Sequence, residues 1–171
     1  MNLYGRLLKL LVMLNLRPKV SFFDRTEMTF RVWPTDLDTA GHVNNAKYVA
    51  MLDLGRIDLW FRSGFWQKIS TDGGFAVVSS QSIRYRRSLK AFEKFTLTSQ
   101  VIGWDDKAFY YLHDFLVDGE LSARAVVQSR AVRRGKGVPI EETLAVLGDD
   151  VPELELPEWV KEWAGTVRVG L

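Results

Sequence analysis

Between Trp33 and Tyr48 the chain reads WPTDLDTAGHVNNAKY, so that Asp38 precedes His42 by four residues and Asn44 and Asn45 follow at once. A carboxylate and an imidazole on one loop are suited to proton transfer, because aspartate accepts protons and histidine changes charge near neutral pH. The asparagines suit the first turn of a helix, where a side-chain oxygen caps free backbone N–H groups. Two readings follow: a capped loop in front of a helix, or a catalytic site at the mouth of the most apolar segment of the chain. The second histidine, His113, sits in FYYLHDFL among aromatics, where a structural histidine with satisfied hydrogen bonds is expected.

Composition removes several other chemistries. The 171 residues contain no cysteine and only two histidines, which excludes disulfides, thiolate nucleophiles and histidine-rich metal centres. The absence of cysteine suits a reducing, cytoplasmic setting. No GxSxG elbow or GKS/GKT phosphate loop is present, and the glycines of RRGKGVP match neither pattern. Neither a metal nor a cofactor is expected. With 23 Lys and Arg against 21 Asp and Glu, the net charge of +2 gives no electrostatic footprint for nucleic acid.

The loop at Asp38 lies between two predicted elements. TEMTFRVW alternates apolar and polar residues at the period of a half-buried strand and stops at Pro34. From about Asn44 to Phe65 apolar residues cover most of a helical circumference, so this helix must be buried on several sides. After Asp72-Gly73-Gly74 come four strand-like runs: 75–89, 92–104, 107–117 and 120–134. Their short separators, including Asp118-Gly119 with its preference for a tight hairpin, make them antiparallel neighbours. The expected organisation is an N-terminal amphipathic segment (1–25), an α+β domain (26–135) and a C-terminal extension packing on it (136–171). That extension holds a short helix at Ile140–Leu147 and PEWVKEWAG, read as a cap over an open end of the sheet.

Element order and motif together look like the hot-dog fold, an antiparallel sheet wrapped around one long buried helix. The pattern D-x-D-x-x-G-H-V-N-N-x-x-Y, carried by Asp36, Asp38, Gly41, His42, Val43, Asn44, Asn45 and Tyr48, resembles acyl-thioester hydrolases of the 4-hydroxybenzoyl-CoA thioesterase type. It is similar also to the active-site segment of plant acyl-ACP thioesterases, and closest to a thioesterase-like branch with a hydrophobic N-terminal segment. The resemblance implies an acyl-CoA thioesterase acting on a CoA or acyl carrier protein thioester. Asp38 becomes the catalytic carboxylate, as general base or nucleophile. The backbone amide of Asn45, seven residues on, becomes the oxyanion donor at the helix N-terminus. His42 polarises the carbonyl, orients Asp38 or shares proton transfer. Where the plant enzymes carry an Asn two residues after the Asp, this chain has Ala40. Asn44 reads as a cap and Asp36 as positional support.

Further candidates flank this loop. Ser79, Ser80 and Gln81 interrupt an apolar strand and invite a role beside the thioester, against the alternative of a solvated strand face. Arg84, Arg86, Arg87 and Lys90 are placed to meet CoA phosphates, or form a soluble edge. Trp60, Trp66, Phe109 and Tyr110 are core residues that could in part line an acyl channel. A hot-dog hydratase is disfavoured because its D-x-N-P-x-H spacing is absent; a non-catalytic acyl-binding or membrane-associated protein is the alternative class. The apolar helix surface implies a homodimer or a dimer of dimers. Residues 1–20, with Arg6, Lys9, Arg17 and Lys19 and no acid before Asp24, form a helix packed on the protein or in peripheral contact with a membrane. Because every candidate site residue follows Pro34, this segment is expected to be dispensable for chemistry.

Overall fold

The computed structural model describes residues 3–148 and 150–169. Helix α1 (Leu3–Leu14) leads to strand β1 (Thr26–Arg31), a single 3₁₀ turn (Pro34–Asp36) and the long helix α2 (Asn45–Arg62). A short α3 (Phe65–Ser70) precedes strands β2 (Gly74–Tyr85), β3 (Lys94–Trp104), β4 (Phe109–Val117), β5 (Glu120–Arg133) and β6 (Lys136–Gly137), then helices α4 (Ile140–Leu147) and α5 (Glu158–Val169). The strands form one antiparallel sheet in the order β1-β3-β4-β5-β2, with the two-residue β6 beside β5. This is the expected hot-dog arrangement. The expected tight hairpin is there too, with Asp118 and Gly119 at φ 51° and 82°.

Helix α2 packs across the sheet and buries Tyr48, Met51, Leu52, Leu54, Leu59 and Trp60. At roughly 1.5–3 kcal/mol for each large apolar side chain, this burial outweighs the helix's two β-branched isoleucine and valine positions and its internal glycine. That glycine has a steric reason: a Cβ on Gly55 would sit 2.2 Å from Ser99 Oγ. The predicted helix to Phe65 is in fact two. Gly64 adopts the left-handed conformation at φ 74° and ends α2, and Phe65 begins α3.

The sheet is covered on both faces. Its inner face meets α2 through residues such as Phe95, Tyr111 and Val127. Its outer face is covered by the C-terminal segment, where Leu156, Val160 and Ala164 pack on Tyr110 and Val126. The PEWVKEWAG stretch thus covers a face rather than an open end. Arg168 secures α5 through Asp105 at 2.6 Å.

The α2 layer also contains buried charge. Asp58 is enclosed and faces Arg17 at 2.9 Å and Arg62 at 3.0 Å, tying the segment after α1 to the helix. Burial pushes the Asp58 carboxyl up, with the two arginines pulling against it. Arg56 pairs with Asp53, but its Nη1 has no hydrogen-bond partner among the described residues. His113, expected to be satisfied, is so only in part: Nδ1 lies 2.9 Å from Ser99 Oγ while Nε2 has no hydrogen-bond partner among the described residues. Burial, reinforced by Arg56, holds its imidazole well below the usual histidine range.

Candidate active site

The Asp38 loop closes on itself. The Asp38 N–H donates to His42 O at 2.8 Å and Gly41 N–H to Asp38 O at 3.1 Å, while Leu37 bridges Val43. Gly41 takes φ 77°, a conformation that a side chain would strain. One carboxylate oxygen of Asp38, Oδ1, accepts from the backbone N–H groups of Ala40 at 2.9 Å and His42 at 3.3 Å. Oδ2 has no partner among the described residues, and the side chain is exposed. Asp38 thus holds its loop with one oxygen and offers the other to solvent.

His42 meets Asp38 through its backbone and not through its ring. Its strand-like bridge to Lys90 places it against the 86–92 segment, and its exposed imidazole has no hydrogen bond among the described residues. Two contacts fasten that segment to the site: Val43 N–H donates to Leu89 O at 3.1 Å, and Leu89 N–H donates to Tyr48 Oη at 3.2 Å.

Asn44 is the cap that its position suggested, its Oδ1 accepting from Ala46 N–H at 2.9 Å. The next amide is left over. Asn45 N–H has no acceptor among the described residues and lies at the exposed start of an eighteen-residue helix. There the aligned peptide dipoles favour negative charge.

Asp36 is the buried member of the motif, at 1% exposure. Its Oδ2 accepts from Trp33 N–H at 2.9 Å and from Arg6 Nη2 at 2.5 Å, and its Oδ1 from Arg6 Nη1 at 3.3 Å. Its backbone carbonyl receives the N–H of Asn44 at 2.9 Å. Asp36 therefore fixes both ends of the loop that carries Asp38, and a residue of α1 fixes Asp36. Residues 1–20, expected to be dispensable for chemistry, are thus tied to this loop through Arg6. Sequence reasoning missed Arg6 because nothing local marks one arginine in an amphipathic helix as the partner of a carboxylate thirty positions away.

The other candidates are spread out. Strand β2 is the sheet edge opposite β1, and Gln81 lies four residues before Tyr85, the β2 residue whose ring meets Tyr48 at 5.0 Å. Within one chain, Ser79, Ser80 and Gln81 are therefore not brought to Asp38. The Ser79 hydroxyl, at a bulge in the β2–β5 pairing, donates to Gln128 Oε1 at 3.1 Å. Arg87 is paired with Glu93 at 2.6 Å, whereas the side chains of Arg84 and Arg86 have no partner among the described residues. Trp60, Phe109 and Tyr110 are core. The described residues contain no cluster of metal-ligating side chains, and none of their helices is long and apolar enough to cross a membrane.

Comparison with known proteins places this geometry in context. Protein THEM6 of Xenopus laevis is 35% identical over 132 residues, spanning 77% of this chain and 63% of the relative. The chain thus spans less than two thirds of that relative's length. A probable thioesterase from Bartonella henselae superposes with a TM-score of 0.62 at 20% identity, covering 68% of this chain and 98% of the other. A 1,4-dihydroxy-2-naphthoyl-CoA thioesterase from Synechocystis gives 0.62 at 17% identity, over 75% and 100%. The likeness to these two is one of fold. The model of the thioesterase-like superfamily matches residues 32–164, from the strand end before Asp38 through most of α5, and the chain belongs to that superfamily.

Proposed function

We propose that the protein hydrolyses an acyl-CoA thioester to the free acid and CoA. The observation that carries this reading is the pairing of an exposed Asp38 carboxylate, one oxygen free, with an unpartnered amide at Asn45 on the start of α2. Asp38 takes a proton from water as it attacks the thioester carbonyl, or attacks directly to form an anhydride that water then opens. Either way the carbonyl oxygen gathers negative charge, which the Asn45 N–H and the helix dipole stabilise. The C–S bond then breaks and the thiolate leaves with a proton. His42, with a free ring beside this loop, orients the carbonyl or relays that proton.

The active unit in this reading is a homodimer. β2 is a twelve-residue edge strand that exposes Phe75, Val78 and Tyr85, and such an edge favours pairing with a second copy. A partner β2 would bring Ser80 and Gln81 toward the opposite Asp38. Helix α1 supports peripheral contact with a lipid surface, because Tyr4, Leu8, Leu11 and Val12 are exposed, as is Leu16 just after it, while Arg6 and Leu10 are buried against the protein. One observation favours the non-catalytic alternative, namely that no side-chain bond links Asp38 and His42.

Free-thiol release from a panel of acyl-CoAs tests the reading. Asp38→Asn keeps the loop contacts of Oδ1 and removes the charge, so kcat should fall by ~10²–10⁴ with the fold intact by circular dichroism. A folded variant working at the parent rate would overturn the assignment.

A further inference from the structure

The C-terminal helix does more than cover the sheet. Between α5 and the outer face of β2 and β5 runs a groove of about 670 Å³, whose walls include Ser82, Arg84, Arg86, Arg124, Trp159 and Trp163. None of the described residues that line it is acidic. Arg124 is held by Asp114 through two hydrogen bonds at 2.6 and 2.8 Å, but Arg84 and Arg86 have no partner among the described residues. The groove thus carries two uncommitted guanidinium groups, the commonest protein partners for phosphate.

The opposite wall is aromatic. Trp159 and Trp163 are four residues apart on α5 and so share one face of that helix. Trp163 is braced edge-on by Tyr110 at 6.4 Å, and Trp159 is 47% exposed. An exposed indole facing two free arginines suits a ligand with a flat base at one end and phosphates at the other.

The groove also lies at the site's end of the sheet. Tyr85, which lines it, touches Tyr48 in the first turn of α2, and Arg86 is four residues before Lys90, the bridge partner of His42. Four residues of chain reach at most ~14 Å, which bounds the distance from Arg86 to the backbone neighbour of His42.

We infer that this groove is a binding site for the adenosine-phosphate end of CoA, with the base on Trp159 and the phosphates on Arg84 and Arg86. The inference rests on the thioesterase reading for its ligand and deepens it: the acyl group arrives on CoA and not on a carrier protein, whose pantetheine lacks the nucleotide. The recognition comes from a segment outside the catalytic motif, so the C-terminal extension sets carrier preference.

The test is a tryptophan-fluorescence titration of the full chain with CoA, adenosine 3′,5′-bisphosphate and pantetheine, followed by steady-state hydrolysis. CoA and the bisphosphate should bind, and pantetheine should not. Arg84→Gln and Arg86→Gln should each weaken CoA roughly tenfold or more, as expected for a lost charge-assisted contact. Trp159→Ala should weaken both nucleotides. Arg130→Gln, an exposed arginine on the same strand six residues from Arg124, is the charge control and should bind CoA as the parent does. In turnover the two glutamine variants should raise KM for acyl-CoA with little change in kcat. Pantetheine binding as well as CoA, or CoA affinity indifferent to Arg84 and Arg86, overturns the site. So does an acyl carrier protein substrate whose KM rises in these variants while that of acyl-CoA does not, since the groove would then hold an acidic protein. The two readings fail separately. Nucleotide binding lost in the variants with no thioester hydrolysed removes the hydrolase and keeps the groove, while hydrolysis with an unmoved KM removes the groove and keeps the hydrolase.

Discussion

Replacing Arg6 by methionine should unsettle the loop that joins β1 to α2. The substitution keeps an apolar stem and deletes three hydrogen bonds: two to Asp36, at 2.5 and 3.3 Å, and one to Arg31 O at 2.9 Å. Asp36 would retain only Trp33 N–H for a carboxylate at 1% exposure. Breaking one side of a buried pair costs about 3–5 kcal/mol, well above the ~1 kcal/mol ceiling of a surface pair. For a chain of this length that is a fall in Tm of roughly 6–20 °C. Urea unfolding followed by tryptophan fluorescence reads the first quantity and a thermal melt the second. The double variant Arg6→Met with Asp36→Leu removes both charges and should recover most of the loss, short of the bond to Trp33. Turnover should fall in both, because the Asp36 carboxylate fixes the entry to the Asp38 loop. An Arg6→Met protein within ~1 kcal/mol of the parent, or a double variant no more stable than the single, would refute the coupling. By the same reasoning Asp36→Asn is no quiet control for Asp38→Asn, since it disturbs a buried ion pair.

Three other expectations can be measured directly. Gly55→Ala should destabilise the protein by roughly 1–3 kcal/mol, because the new Cβ displaces Ser99 Oγ from His113. Adding Ser99→Ala, which leaves contacts of 3.2 Å to Leu97 Cδ2 and 3.5 Å to the Ser99 Cβ position, should remove part of that cost, and additive losses in a denaturation cycle would count against the clash. His113, held well below its ordinary value of 6.5, binds fewer protons folded than unfolded, so its contribution to stability is present above about pH 6.5 and lost as pH falls through the histidine range. The slope should be up to ~1.4 kcal/mol per pH unit and should diminish in His113→Gln, and equal slopes between pH 7.5 and 5 would exclude that origin. Light scattering should give a homodimer for the parent, and a charged Val78→Lys on β2 should shift it toward monomer with reduced hydrolysis; an active, stable monomer would contradict the shared site.

Much of this arrangement was legible because local chemistry specifies it. β1 ends shortly before Pro34, Asn44 caps α2, and Asp118-Gly119 turns with both residues at positive φ. The Asp38–Asn45 loop could be recognised because its parts are contiguous. What was hidden depends on contacts between distant positions. Strand β4, FYYLHDFLV, is buried on nearly all sides and so shows no alternation from which an outer cover could be inferred. The break at Gly64 was hidden because Phe61 and Phe65 keep helical spacing across it. The Arg–Trp groove joins residues 82–86, 121–126 and 159–163, and although Arg84 and Arg86 stood out in the sequence, nothing local joined them to a pair of tryptophans in a segment read as a plain cap.

The location of the C-terminal segment also limits how copies can accumulate. Because α5 and Leu156 pack on the outer sheet face, subunit pairs of the proposed kind would meet this segment there and not bare strands. On the opposite layer, α1 lies across α2. The long boundary left open is β2, and an edge-to-edge contact is self-complementary: once two copies have met, each has used the strand that could have recruited a third. In the proposed dimer, growth through that edge would close at two and would not run on into a ribbon.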